Sequence, residues 1–318
     1  MPNYQGVWSL STQYQNRTGW PGPSINGVWF GGFSGSAEVN VIQTINIDVL
    51  GNATDFGDLG STSQGNGSNS SSTRAVCALG YVSGSRSSTT EFIEYATSGN
   101  STSFGSLVAG VRAYLGGGGN STRGIFAGGS NDDGSGGTND TTIIDYITFA
   151  SQGNSTDFGD MTATCSDTKA SSSPTRTVIS MGFSGGASTN VIDYITTATT
   201  ANATDFGDLT VARLGAASAS SSTRALFMGG GSYTNTIDYV TVASTGNAVD
   251  FGDVTEGISQ AGACSNNTRA LVNASKSSPS STVYYVTIAS TGNTSSFGTL
   301  TNSINRTSAT SQGHGGLQ

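Results

Sequence analysis

Short apolar runs alternate along this chain with stretches of glycine, serine, threonine and asparagine, and the alternation recurs with a period of roughly 45–54 residues. Residues 221–265 show the unit in full. Arg224-Ala225-Leu226-Phe227-Met228 is an almost unbroken apolar run stopped by Gly229-Gly230-Gly231, the length and boundary of a strand. Asn235 to Val242 mixes β-branched and aromatic residues and predicts a second strand. Ser244-Thr245-Gly246-Asn247 predicts a turn, and Asp250-Phe251-Gly252-Asp253-Val254 returns one aromatic to the core. Residues 254–264 predict a further strand or extended segment leading to the next unit. No segment sustains a 3.6-residue apolar period, so no helix is expected in the repeat.

A phenylalanine marks the unit six times and an arginine five times. A phenylalanine in Asp-Phe-Gly-Asp or a relaxed copy recurs as Phe56, Phe104, Phe158, Phe206, Phe251 and Phe297. An arginine in Thr-Arg recurs as Arg74, Arg123, Arg176, Arg224 and Arg269, 18 or 19 residues after each of the first five phenylalanines. The return interval varies from 27 to 35, so one half of the unit has fixed length and the other carries the insertions. Three or four short strands in each of six units predict an all-β fold, a six-bladed β-propeller, with a β-solenoid as the alternative. The ends support a ring. Ile25 to Gly32 matches the strand after Thr122-Arg123, and the chain ends three residues after the place of a seventh arginine. Pairing of the N- and C-terminal segments would close the ring and remove free sheet edges. The organisation expected is an aromatic segment at 1–23, the propeller at 24–313 and a tail at 314–318.

Composition narrows the function more than the fold. Charged residues are 10% of the chain and the net charge is −8, so no basic patch favours nucleic acid. Cys77, Cys165 and Cys264 are odd in number and far apart, which predicts small buried thiols. No apolar stretch approaches a membrane span, no signal peptide is visible, and membrane insertion is not expected. Asn-x-Ser/Thr sequons at Asn52, Asn120, Asn202 and Asn293 are expected by chance in such a composition.

The unit resembles the kelch repeat. Gly229-Gly230, Tyr239 and the segment Asn202-Ala203-Thr204-Asp205-Phe206-Gly207-Asp208-Leu209, followed by Arg213, carry the resemblance over roughly residues 24–313. Phenylalanine stands where that repeat has tryptophan, and Asn273-Ala274 replaces the sixth glycine doublet. The tandem copies around Asp-Tyr-Val-Thr and Asp-Phe-Gly-Asp-Leu also resemble repeats in virion structural proteins of tailed phages of marine bacteria, notably cyanophages. Tyr4 to Gln15, ending at Trp20-Pro21, is similar to a segment that precedes such repeats. That resemblance implies a non-enzymatic virion protein without a cofactor, present in multiple copies on a tail fibre or capsid. Its partners would be other virion proteins and a host-surface glycan or protein. Trp8, Tyr14 and Trp20 are the attachment candidates; they would dock onto a neighbour or pack under the ring.

Several motifs have a plainer reading. Asp-Phe-Gly matches a kinase signature, but no lysine-bearing glycine loop or His-Arg-Asp accompanies it, and its Asp and Gly are read as turn residues. Gly182-Phe183-Ser184-Gly185-Gly186 matches a hydrolase pattern, yet the sole histidine, His314, lies in Gly313-His314-Gly315-Gly316, a poor place to hold an imidazole. One histidine also excludes multi-histidine metal sites. Asp132, Asp133 and Asp140, in the one irregular insertion, are weak calcium candidates without a full ligand set, and no metal is expected. Asp145, Asp193, Asp238 and Glu94 recur once per unit and are expected to pair with the Thr-Arg arginines. A lectin is the alternative function, with shallow sites between blades using Tyr146, Tyr194, Tyr239 and Tyr285. A channel enzyme would need repeats that differ at the channel, and the carboxylates here follow the repeat.

Overall fold

An apolar run such as Ala225–Met228 has no polar face, so it must be covered on both sides. The fold does this by standing such strands side by side around an axis. The computed structural model describes residues 25–132 and 138–317, and these build a six-bladed β-propeller. Each blade is built on four antiparallel strands running outward from the axis, and the third adds Arg112–Ala113 and Ser130–Asp132 to its sheet. In the second blade the order is Gly67–Ser70, Arg74–Ala78, Thr89–Glu94, Thr102–Ser106. The fifth repeats it as Ala217–Ser220, Arg224–Met228, Thr236–Thr241, Val249–Asp253. The first blade joins the two ends of the chain: Ser308–Ser311 is its innermost strand, paired antiparallel to Asn26–Phe33. The expected closure is therefore present, made by four residue pairs from Gly27↔Ser311 to Phe30↔Ser308.

Six hydrophobic clusters replace a single core, and each lies between neighbouring blades. Phe56, Leu59, Phe30 and Ile42 of the first blade, for example, meet Ala75, Cys77, Leu79 and Ile93 of the second. The three cysteines are free and buried among these layers, as expected, and burial pushes their thiols up. The innermost strands converge on the axis and hold only small residues apart from Asn69 and Lys169.

Asp-Phe-Gly is not a turn. It lies in the outermost strand of every blade, where the pairing with the third strand slips by one residue. Ile144 faces Gly159 and Asp145 faces Asp157, which leaves Phe158 as the extra residue of a β-bulge. The bulge turns the ring into the inter-blade core. The glycine that follows is needed because the next blade packs on it: a Cβ at Gly105 would overlap the Gly153 carbonyl, and one at Gly298 the Gly51 carbonyl. The same turn caps the outer edge. Gly99 N donates to Phe56 O (2.8 Å), and the Asn100 side chain accepts from Asp58 N (3.0 Å). Asn154, Asn202, Asn247, Asn293 and Asn52 repeat that bond around the ring, so the sequons at Asn52, Asn202 and Asn293 are structural positions.

Candidate functional site at the channel mouth

Most of the repeated polar groups hold blades together. Each Thr-Arg arginine lies over an aromatic ring of its own blade, as Arg176 does over Tyr194 at 4.8 Å. Arg123, Arg224 and Arg269 do the same over Tyr146, Tyr239 and Tyr285, and Arg74 over Phe92. The guanidinium then reaches carbonyls of the next blade, Val242 and Ala243 in the case of Arg176. The far edge of the tyrosine meets the bulged phenylalanine, Tyr194–Phe206 at 5.7 Å. The first blade has Asn26 and Thr44 in place of arginine and tyrosine.

The expected pairing of these arginines with the recurring carboxylates is corrected. Only Arg74 meets one, Glu94 at 3.2 Å, and Glu94 is its cross-strand neighbour rather than the equivalent of Asp145. That equivalent is Glu91. The bulge aims this third-strand position at the preceding blade instead. Thr210 N donates to Asp238 (3.0 Å), Thr162 N to Asp193 (2.8 Å) and Gly60 N to Glu91 (2.8 Å). Two other arginines supply the cations: Arg112 pairs with Asp145 at 2.5 Å and Arg213 with Asp238 at 2.9 Å, all four side chains fully buried.

The remaining candidates are placed as follows. Trp8, Tyr14, Trp20 and Asp133 lie outside the described residues. Asp132 ends the strand Ser130–Asp132, which pairs with Thr138–Thr148 so that Ser130 faces Asp140. Among the described residues no group of three or more His, Cys, Asp or Glu is placed to hold a metal. Ser184 belongs to a small hairpin whose turn, Gly185-Gly186, has φ of 60° and 86°, the conformation of a tight two-residue β-turn. His314 is well held, contrary to the expectation from its glycine-rich surroundings. Its Nε2 is 2.8 Å from Ser70 O and its Nδ1 accepts from Gly316 N, while burial lowers its pKa to about 4. Residues 314–317 therefore do not trail from the ring: Gly315 and Gly316 pack on the innermost strands at one end of the axis.

The opposite end of the axis differs. There the chain crosses from each outermost strand to the next innermost one, and six residues, one per crossing, adopt left-handed φ of 51–65°: Gly65, Tyr114, Asp167, Gly215, Gln260 and Arg306. Their backbones form a hydrogen-bonded ring. Gly65 N donates to Arg306 O (2.8 Å), Arg306 N to Gln260 O (3.0 Å), Gln260 N to Gly215 O (2.8 Å) and Gly215 N to Asp167 O (3.4 Å). Thr168 N to Tyr114 O (3.3 Å) and Tyr114 N to Gly65 O (2.8 Å) complete it. Glycine suits this conformation, and two positions use it; the other four keep large polar side chains at a cost of about 1–2 kcal/mol each. Strain retained at four of six equivalent positions makes the mouth the candidate site.

The charges point the same way. Of 12 lysines and arginines, five are the Thr-Arg arginines, two are buried in ion pairs, Lys276 pairs with Glu256, and Arg17 is outside the described residues. The remaining three are Arg86, Lys169 and Arg306, and all surround this mouth. Arg306 donates to Gln260 (3.2 Å) and Gln64 (3.0 Å) and lies over Phe33. Arg86 lies over Tyr81, whose ring meets Tyr114 edge-on at 5.7 Å. Tyr114, Asp167, Lys169, Gln260 and Arg306 line one shared cavity. Burial raises the pKa of Asp167, with Lys169, Gln260 and Arg306 pulling it back. The sequence reading missed this cluster because its six positions share no residue type. The findable signal is position: Gly65, Tyr114, Asp167, Gly215 and Gln260 each stand nine residues before a Thr-Arg arginine.

No protein-family model matches the chain, and no curated protein matches it in sequence. Among solved structures it is similar to that of YjhT, a propeller-type fold, with a TM-score of 0.55 and 9% identity over 66% of this chain and 72% of that one. That likeness shows the fold alone.

Proposed function

We propose that the chain is a non-catalytic binding module whose working surface is the channel mouth, carried on the particle of a tailed phage as an exposed tail-fibre or capsid element that contacts the host surface. One observation carries the binding reading. The repeated polar side chains are engaged between blades, whereas the side chains of the six ring positions vary from blade to blade and gather at one mouth with the three remaining cations. Strands Ser130–Asp132 and Thr138–Thr148, which flank the irregular insertion, pair with each other on the same end of the ring. A non-enzymatic role is supported by His314, the chain's one histidine, being engaged at the other end of the axis. The virion setting is supported by the resemblance of the tandem repeats and of the Tyr4–Pro21 segment to phage structural proteins.

The lectin alternative, with sites between blades, has one observation in its favour. Open grooves of about 300 and 200 Å³ lie along Tyr194–Thr204 and Phe92–Thr102. The aromatic faces there already contact arginine and phenylalanine, which leaves little free ring for a sugar to stack on. Cryo-EM of native particles tests the setting. Density for a six-bladed ring with its mouth outward and residues 4–21 in a neighbouring subunit is the expected result; a ring in free solution, with no particle contact, overturns it.

A further inference from the structure

Two residues beyond each ring position stand Gly67, Gly116, Lys169, Ala217, Gly262 and Ser308, which open five of the innermost strands and, at Gly262, immediately precede the sixth. Five of these project no more than a hydroxymethyl group. Lys169 alone is long, and it lines both the mouth cavity and the first cavity beneath it. Those cavities measure about 10 and 30 Å³, with a third of about 40 Å³ further along, beside His314. They have room for waters or one small chemical group, not for a sugar ring. A cation set into such a bore loses hydration unless an anion faces it. Among the described residues no carboxylate lies within ion-pair distance of Lys169, and burial lowers its pKa while the nearby Asp167 opposes that shift. Arg306 sits on the rim above, half-buried, in the same cavity.

We propose that the mouth recognises an acidic saccharide, taking its carboxylate between Lys169 in the bore and Arg306 on the rim while Tyr114 and Gln260 meet the sugar ring. This rests on the binding-module reading above. A carboxylate fits better than a phosphate because Asp167 lines the same cavity as both cations and repels a dianion more than a monoanion. Gln260 supplies an amide for a hydroxyl, and Tyr114 supplies an aromatic edge, the pairing of polar and apolar contacts that a sugar requires.

Calorimetric titration of the full chain with glucuronate, glucose and inorganic phosphate tests this. Glucuronate is expected to bind, with glucose weaker by about tenfold or more. Lys169→Met removes the charge at similar length, and Arg306→Gln copies the residue that already holds the same φ at position 260. Each should weaken glucuronate by about tenfold or more without changing the thermal midpoint downward, and Asp167→Asn should tighten it. Equal binding of glucose and glucuronate, indifference to Lys169→Met, or binding of phosphate in place of glucuronate overturns the proposal. Host-cell binding by the chain that survives Lys169→Met and Arg306→Gln would overturn this inference alone; absence of wild-type binding to any cell or glycan would overturn the binding-module reading itself.

Discussion

The two ends of the propeller are built by opposite rules. At the end bearing the Gly-Asn turns, one solution is copied six times: Asn52, Asn100, Asn154, Asn202, Asn247 and Asn293 each accept one backbone N–H from the preceding blade. At the mouth, the backbone is copied six times and the side chains are not: glycine, tyrosine, aspartate, glycine, glutamine and arginine share one conformation. A repeat constrains side chains wherever they form the joint between blades. Where the backbone alone makes the joint, side chains are released for another task. In this molecule, identity across blades marks structure, and the variable column of the hydrogen-bonded ring marks the candidate site.

Substitutions can break or sharpen that contrast. The largest loss is expected for Asp238→Ala, which strands Arg213 without its partner in a fully buried site and frees the Thr210 N–H. It should cost about 3–5 kcal/mol in urea unfolding, and Arg213→Met combined with Asp238→Leu should recover most of it. Next is His314, whose folded pKa of about 4 lies below its ordinary value near 6.5. The folded state holds the neutral ring, so its contribution is complete above about pH 6.5, is lost as pH falls toward 4, and changes no further below that. The loss is at most about 3 kcal/mol, less given its partial exposure, and should appear as a difference between wild type and His314→Asn in thermal midpoint against pH. Gly105→Ala, which forces a methyl into the Gly153 carbonyl, should cost about 1–3 kcal/mol by the same unfolding assay. Arg176→Met removes a cation from over Tyr194 and two carbonyl contacts at the rim, and about 1 kcal/mol is expected. If mouth substitutions matched these losses, the division between the two ends would fail.

The period of the chain, the count of six, the second strand of each blade and the closure through residues 308–311 were all legible, because each depends on residue types that recur at fixed spacing. The role of Asp-Phe-Gly was not. A bulge exists only relative to the strand it pairs with, and no local signal separates Phe158 in a bulge from Phe158 after a turn. The partners of Asp145 and Asp238 were hidden for a similar reason: Arg112 and Arg213 reach them from the crossings, at positions that hold Ser63, Cys165, Ile258 and Ile304 in the other four. His314 was misjudged because flanking glycines imply freedom in an isolated chain. Here they are small so that the backbone can lie against Gly119, Ser172 and Ser221. The mouth residues escaped because a search for sameness passes over a column whose content is difference.

A helix always has a first donor and a last acceptor to satisfy at its ends. The hydrogen-bonded ring at the mouth has neither, since it runs from Arg306 through Gln260, Gly215, Asp167, Tyr114 and Gly65 back to Arg306. It cannot fray. The amides of residues 65, 114, 168, 215, 260 and 306 belong to surface crossings, where exchange with solvent deuterium is ordinarily fast. In a closed circuit none can open without displacing its neighbours on both sides, so the six should exchange together, at a single slow rate. The proposed binding surface would thereby stand on a turn that yields only as a whole.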